Sequence, residues 1–80
     1  MEQTIIKHIE QELANEEIEE GLEPTDDLLG EGILDSLGMM KLISFIENTF
    51  GIDVAPQDMV IENFMSVEAI AAYIQKVKAL

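Results

Sequence analysis

Met39, Leu42, Ile46 and Phe50 follow one another at steps of three and four, Ile43 lies four after Met39 and three before Ile46, and Gly51 comes directly after them. Steps of that size return to the same side of a 3.6-residue turn, so the pattern predicts a helix over Ser36 to Phe50 with one apolar stripe. Gly51 stands where such a helix ends in a left-handed residue. One stripe must be buried against other elements, and the chain has 80 residues in which to find them. A domain of this length buries only about 60% of the surface its unfolded chain exposes. One compact domain over residues 1–80 is therefore expected, with a core too thin for a deep catalytic chamber.

The partners of that stripe are legible on both sides. Ile5, Ile6, Ile9 and Leu13 give an amphipathic first helix over Glu2 to Ala14. Near the other end, Val67, Ile70, Ala71, Ile74 and Val77 predict a last helix capped by Ser66, with Lys76 and Lys78 at its negative C-terminal end. Between Asn15 and Asp35, Gly21, Pro24, Gly30 and Gly32 break any period, so this stretch reads as a long loop. Its leucines and isoleucines, including Leu22, Leu28 and Leu34, predict that it packs back on the core. Ile52 to Gln57 reads as a short extended linker containing Pro56, and Asp58 as the cap of a brief helical turn from Met59 to about Asn63. The expected fold is all-α: a small antiparallel four-helix bundle with three main helices, one short helix and a long loop between the first and second.

Composition narrows the function. With no cysteine, the chain has no disulfide, no thiolate metal site and no protein thiol to act as a nucleophile. Four basic residues against 17 acidic ones give a formal charge of −13, a field that repels nucleic acid and anionic membranes and attracts basic protein surfaces. Solubility alone is an equally good reason for such a charge. Neither a cationic leader before an apolar run nor about 18 consecutive apolar residues occur, so a complete cytoplasmic protein without a membrane span is expected, as a monomer. His8 is the only histidine and is read as a surface residue far from Ser36, which leaves no relay for a serine nucleophile and no metal site. Around Asp26 and Asp27, apolar residues and glycines occupy positions where a calcium loop needs oxygens. No catalytic residue is expected.

The informative segment is Gly32-Ile33-Leu34-Asp35-Ser36-Leu37-Gly38, leading straight into the second helix. Asp35 is a suitable N-cap. A serine directly behind it displays its hydroxyl over the positive end of the helix, where free amides and the dipole stabilise a phosphate. Gly38 costs helix propensity in the first turn, which points to a close approach to the backbone there.

The segment resembles the acyl carrier and peptidyl carrier protein family, whose signature Asp-Ser-Leu appears here as Asp35-Ser36-Leu37. The resemblance continues upstream in Asp27-Leu28-Leu29 and Gly32-Ile33-Leu34, and downstream in Leu42-Ile43, Ile46-Glu47, Phe50-Gly51-Ile52, Glu62-Asn63-Phe64 and Ser66-Val67-Glu68-Ala69-Ile70. It implies a stand-alone carrier, not an enzyme, in which a phosphopantetheinyl transferase attaches 4'-phosphopantetheine from coenzyme A to Ser36. The arm's thiol then carries an acyl or aminoacyl group as a thioester, loaded by a ligase and passed to a downstream synthase or transferase. Asp35 is implied to orient the site or meet the transferase's metal centre, and plain capping competes with that role.

Leu37, Met40 and Lys41 fall where the family meets its partners, though packing under the acidic loop explains the first two nearly as well. Met39, Met59 and Met65 either line a pliable slot for cargo or simply fill the core. One departure bears on the cargo: Lys41, Ser44 and Asn48 leave Glu47 as the only acid of the second helix, unlike the strongly acidic helix of fatty-acid carriers. A specialised pathway or an aminoacyl cargo is favoured by that departure. The competing class is an acidic helical adaptor that binds a basic partner and carries no prosthetic group.

Overall fold

The computed structural model describes residues 1–13 and 21–79. Among these residues the chain forms α1 (Glu2–His8), α2 (Ser36–Phe50), α3 (Ile61–Phe64) and α4 (Val67–Ala79), and no strand. The fold is the small all-α bundle the apolar spacing predicts. Ala14, Ile18 and the first acidic residues of the long loop lie outside the described residues.

Helix α2 lays one apolar side on the core. Its stripe of Met39, Leu42, Ile43 and Ile46 is buried, and it ends at Gly51, whose φ of 66° is left-handed and whose N–H donates to the Glu47 carbonyl. Ile5 and Ile9 from the N-terminal segment, and Val67, Ile70 and Ile74 from α4, are wholly buried in the same cluster. Lys78 Nζ donates to the Phe50 carbonyl at 3.4 Å, placing a cation on the exposed carbonyl end of α2.

The long loop packs as its leucines predict. Leu22, Leu28 and Leu34 belong to the core, and the backbone follows them down: Leu28 N–H donates to the Met65 carbonyl at 2.8 Å and Glu68 N–H to the Pro24 carbonyl at 2.9 Å. These bonds tie the approach to α2 onto the start of α4.

Three local expectations differ. The N-terminal segment is α-helical only to His8 and continues as a π-helical turn over Ile9–Leu13. Ile5, Ile9 and Leu13 advance by four, more than the 3.6 residues of an α-turn, so a wider turn holds them in line. The brief helix begins at Ile61, preceded by a 3-10 turn over Pro56–Asp58, and Asp58 does not cap it. Asp58 instead accepts a hydrogen bond from the Tyr73 hydroxyl at 2.9 Å, and its carbonyl accepts one from Asn63 Nδ2 at 2.8 Å. His8, expected free on the surface, is half-buried and stacks on Phe45, with ring centroids 3.7 Å apart and planes 7° from parallel. Ser66, by contrast, caps α4 as expected: its Oγ accepts from Ala69 N–H at 3.1 Å. No helix among the described residues is long and apolar enough to cross a membrane.

Candidate functional site

Ser36 is the first residue of α2 and is exposed. Asp35 before it adopts an extended backbone (φ −97°, ψ −176°), its carbonyl accepts from Met39 N–H at 2.9 Å, and its Oδ1 accepts from Gly38 N–H at 2.7 Å. The N-cap is thus formed as the sequence predicts. The amides of Ser36 and Leu37 precede the first position that can find an intrahelical acceptor, so they face outward at the positive end of a helix of 15 residues.

Gly38 explains itself in this geometry. A Cβ built there would lie 3.2 Å from Asp35 Oδ1 and 3.4 Å from Leu34 Cδ2. The close approach inferred for this glycine comes from the chain's own capping carboxylate. Absence of a side chain at Gly38 lets Asp35 reach the amide and Leu34 stay buried.

Beside Ser36 a slot of about 240 Å³ opens between α2 and the segment ahead of and within α3. Ser36 stands at its edge, with Met39, Met40 and Ile43 from α2 and Met59, Val60, Ile61 and Phe64 from the other side. Of the three methionines suspected of lining such a slot, Met39 and Met59 do and Met65 does not; Met65 stands partly exposed where α3 joins α4. Leu37 and Met40 are 64% and 54% exposed, so they are not packed under the acidic loop. Lys41 is exposed next to them. Sequence reasoning missed Val60 and Ile61. Their signal was the consecutive run Met59-Val60-Ile61, apolar on every side of a short segment and therefore impossible to bury completely.

The acidic residues around the site have a structural occupation. Asp26 accepts from Glu23 N–H, Asp27 from Gly30 N–H, Glu31 from Asp27 N–H and Asp35 from Gly38 N–H, all through side-chain oxygens. Farther off, Glu10 accepts from Leu22 N–H at 2.7 Å and Glu47 from Val54 N–H at 2.9 Å. Glu47 therefore braces the chain after α2, and Lys41 is the one charged side chain that α2 leaves fully exposed.

An exposed serine hydroxyl over outward-facing amides, with an apolar slot beside it, fits a phosphodiester whose attached chain has somewhere apolar to lie. Comparison with known proteins agrees. Residues 3–74 match the family described as phosphopantetheine attachment site. The chain belongs to that family. Its prosthetic group is accordingly 4'-phosphopantetheine, and the protein is a carrier and not an enzyme. The carrier is 36% identical over 78 residues to the D-alanyl carrier protein of Lactococcus lactis subsp. lactis (strain IL1403), covering 98% of this chain and 96% of that one. It is 30% identical over 76 residues to the D-alanyl carrier protein of Abiotrophia defectiva, covering 95% and 94%. A chain from a crystal structure of an FAD-dependent dehydrogenase superposes with a TM-score of 0.78 at 31% identity, covering 89% of the carrier and 99% of that chain.

Proposed function

We propose that Ser36 is the residue that bears the arm, that the arm's thiol holds an aminoacyl or acyl group as a thioester, and that the single domain of residues 1–80 presents this cargo to other enzymes in the cytoplasm. The observation that carries the assignment is the placement of Ser36: first in α2, exposed, behind a formed Asp35 cap and at the edge of the apolar slot. The arm supplies the thiol that a chain without cysteine lacks. The chain's own residues supply the rest. Asp35 fixes the start of the helix, the amides of Ser36 and Leu37 stabilise the phosphate charge, and Leu37, Met40 and Lys41 form the surface met by a phosphopantetheinyl transferase, a loading ligase and a downstream synthase or transferase.

An aminoacyl cargo is favoured over a fatty acyl one. Two observations support this: the curated relatives are D-alanyl carriers, and α2 exposes a lysine where an acidic docking helix would be expected. By the likeness to the chain from the FAD-dependent dehydrogenase structure, a flavin-dependent dehydrogenase is a second reading of the downstream enzyme. Bleaching of such an enzyme's flavin by the loaded carrier, and not by the free amino acid, would support that reading; an unchanged flavin spectrum removes it.

The test of the assignment is intact mass. The pure protein incubated with coenzyme A, Mg²⁺ and a broad-specificity phosphopantetheinyl transferase should gain one phosphopantetheinyl group, and Ser36→Ala should gain none. A folded protein that gains nothing behaves as an acidic adaptor, and the proposal fails. The same gain in Ser36→Ala moves the attachment elsewhere.

A further inference from the structure

Five exposed apolar side chains, Leu29, Met40, Met59, Val60 and Ile61, gather around the slot beside Ser36. Two of them are methionines from different elements, Met40 on α2 and Met59 ahead of α3. Met40 is 54% exposed and Met59 42%, whereas Met39, in the same slot, is only 8% exposed. Cysteine is absent, so thioethers are the only sulfur of the chain before its arm is attached.

An exposed thioether reacts with hydrogen peroxide without help from other residues. The sulfur lone pair attacks one peroxide oxygen, an S–O bond forms as the O–O bond breaks, and the second oxygen leaves as water with both protons. Sulfur loses two electrons and the peroxide gains them. The product is a polar sulfoxide. Its oxygen needs a hydrogen-bond donor or water; among the side chains lining the slot only the Ser36 hydroxyl at its edge can donate, and Leu29, Ile43, Val60, Ile61 and Phe64 offer none.

We propose that Met40 and Met59 form a peroxide-responsive modification site: as sulfoxides they close the docking face around Ser36, and removal of the oxygens by a methionine sulfoxide reductase reopens it. The effect on docking rests on the assignment of Ser36 above; the order of oxidation does not. Met1 and Met65, 42% and 41% exposed, lie outside the slot and serve as built-in controls.

The full chain, before arm attachment, is treated with hydrogen peroxide and quenched with catalase. It is then divided between peptide mass mapping and a measurement of the initial rate of arm attachment by a broad-specificity transferase. Met40 and Met59 should each gain one oxygen about fivefold faster than Met39, following their exposure. Arm attachment should slow by about tenfold, because a docking partner must now desolvate two sulfoxides. Reductase treatment should restore the rate. The double variant Met40→Leu/Met59→Leu, which keeps Met1 and Met65, should show the same rate before and after peroxide. Full-rate attachment to protein carrying both sulfoxides overturns the proposal, as does equal slowing of the double variant or oxidation of Met39 as fast as Met40. Untreated protein that accepts no arm overturns the assignment of Ser36 first, and the effect on docking with it, while the peptide masses still report the order of oxidation.

Discussion

Gly38 sits where two local energies of similar size oppose each other. Replacing a glycine by alanine inside a helix stabilises it by about 1 kcal/mol, through lost freedom of the unfolded chain. Against that, the new Cβ would stand 3.2 Å from Asp35 Oδ1 and press on the carboxylate that accepts the 2.7 Å bond from Gly38 N–H. An N-cap of this kind is worth about 1 kcal/mol. Gly38→Ala should therefore change stability by less than about 0.5 kcal/mol in the parent protein. In an Asp35→Ala background the carboxylate is gone, the remaining 3.4 Å contact with Leu34 Cδ2 is ordinary, and the same substitution should stabilise by roughly 1 kcal/mol. The two sites are thus coupled by about 0.5–1.5 kcal/mol. Urea unfolding followed by helical circular dichroism reads this directly. With a slope of about 1 kcal/mol per molar, the midpoint should barely move in the parent and rise by about 1 M in the Asp35→Ala protein. Equal rises in both backgrounds would refute the claim that glycine is there to admit the capping carboxylate.

Other outcomes follow from the same structure. Tyr73, the only tyrosine, has its pKa raised above 10.0, first by burial and then by its hydrogen bond to Asp58. The native state therefore holds the phenol proton more tightly than the unfolded chain does. Its contribution is complete below pH 10.0 and lost as pH rises through the native pKa. Unfolding midpoints at rising alkaline pH should fall more steeply in the parent than in Tyr73→Phe, and phenolate absorbance of the native protein should appear later than that of the unfolded chain. Leu28→Ala, at a wholly buried loop position, should cost about 2–4 kcal/mol in urea unfolding; a cost under about 0.5 kcal/mol would mean the loop is not part of the core. Arm attachment should slow as salt rises, because a charge of −13 attracts a basic transferase surface through a field screened beyond about 8 Å at physiological ionic strength. Lys41→Glu should steepen that dependence, and a salt-independent rate would rule out steering.

Sequence carried the fold as far as periodicity carries it. The stripes of α2 and α4 repeat at three and four, a spacing that a strand cannot use, and both helices appear with the expected caps at Asp35 and Ser66. The N-terminal segment was harder, because a run of steps of four fits either an α-turn or the wider π-turn found over Ile9–Leu13. Asp58 misled for a different reason. A carboxylate ahead of a short helix resembles a cap, but its partner is Tyr73, 15 residues away, and no local pattern announces a bond of that reach. His8 likewise meets Phe45 only through tertiary packing. At the candidate site, Ser36 and Asp35 were legible because helix-end chemistry is local. The walls of the slot were only half legible, since Val60 and Ile61 come to Ser36 through the turn at Pro56–Asp58 and not through sequence proximity.

The carboxylate bonds of the acidic loop have a kinetic consequence. Those of Asp26, Asp27, Glu31 and Asp35 each join residues three or four apart, so closing any one of them sacrifices little chain entropy. Such turns can form in the nascent chain before Leu22, Leu28 and Leu34 find their distant partners. They also need not break when the short helix α3 loosens from α2. The cap at Ser36 is then built by its immediate neighbours, while the loop ahead of it is held to the rest of the bundle by the bond from Leu28 N–H to the Met65 carbonyl.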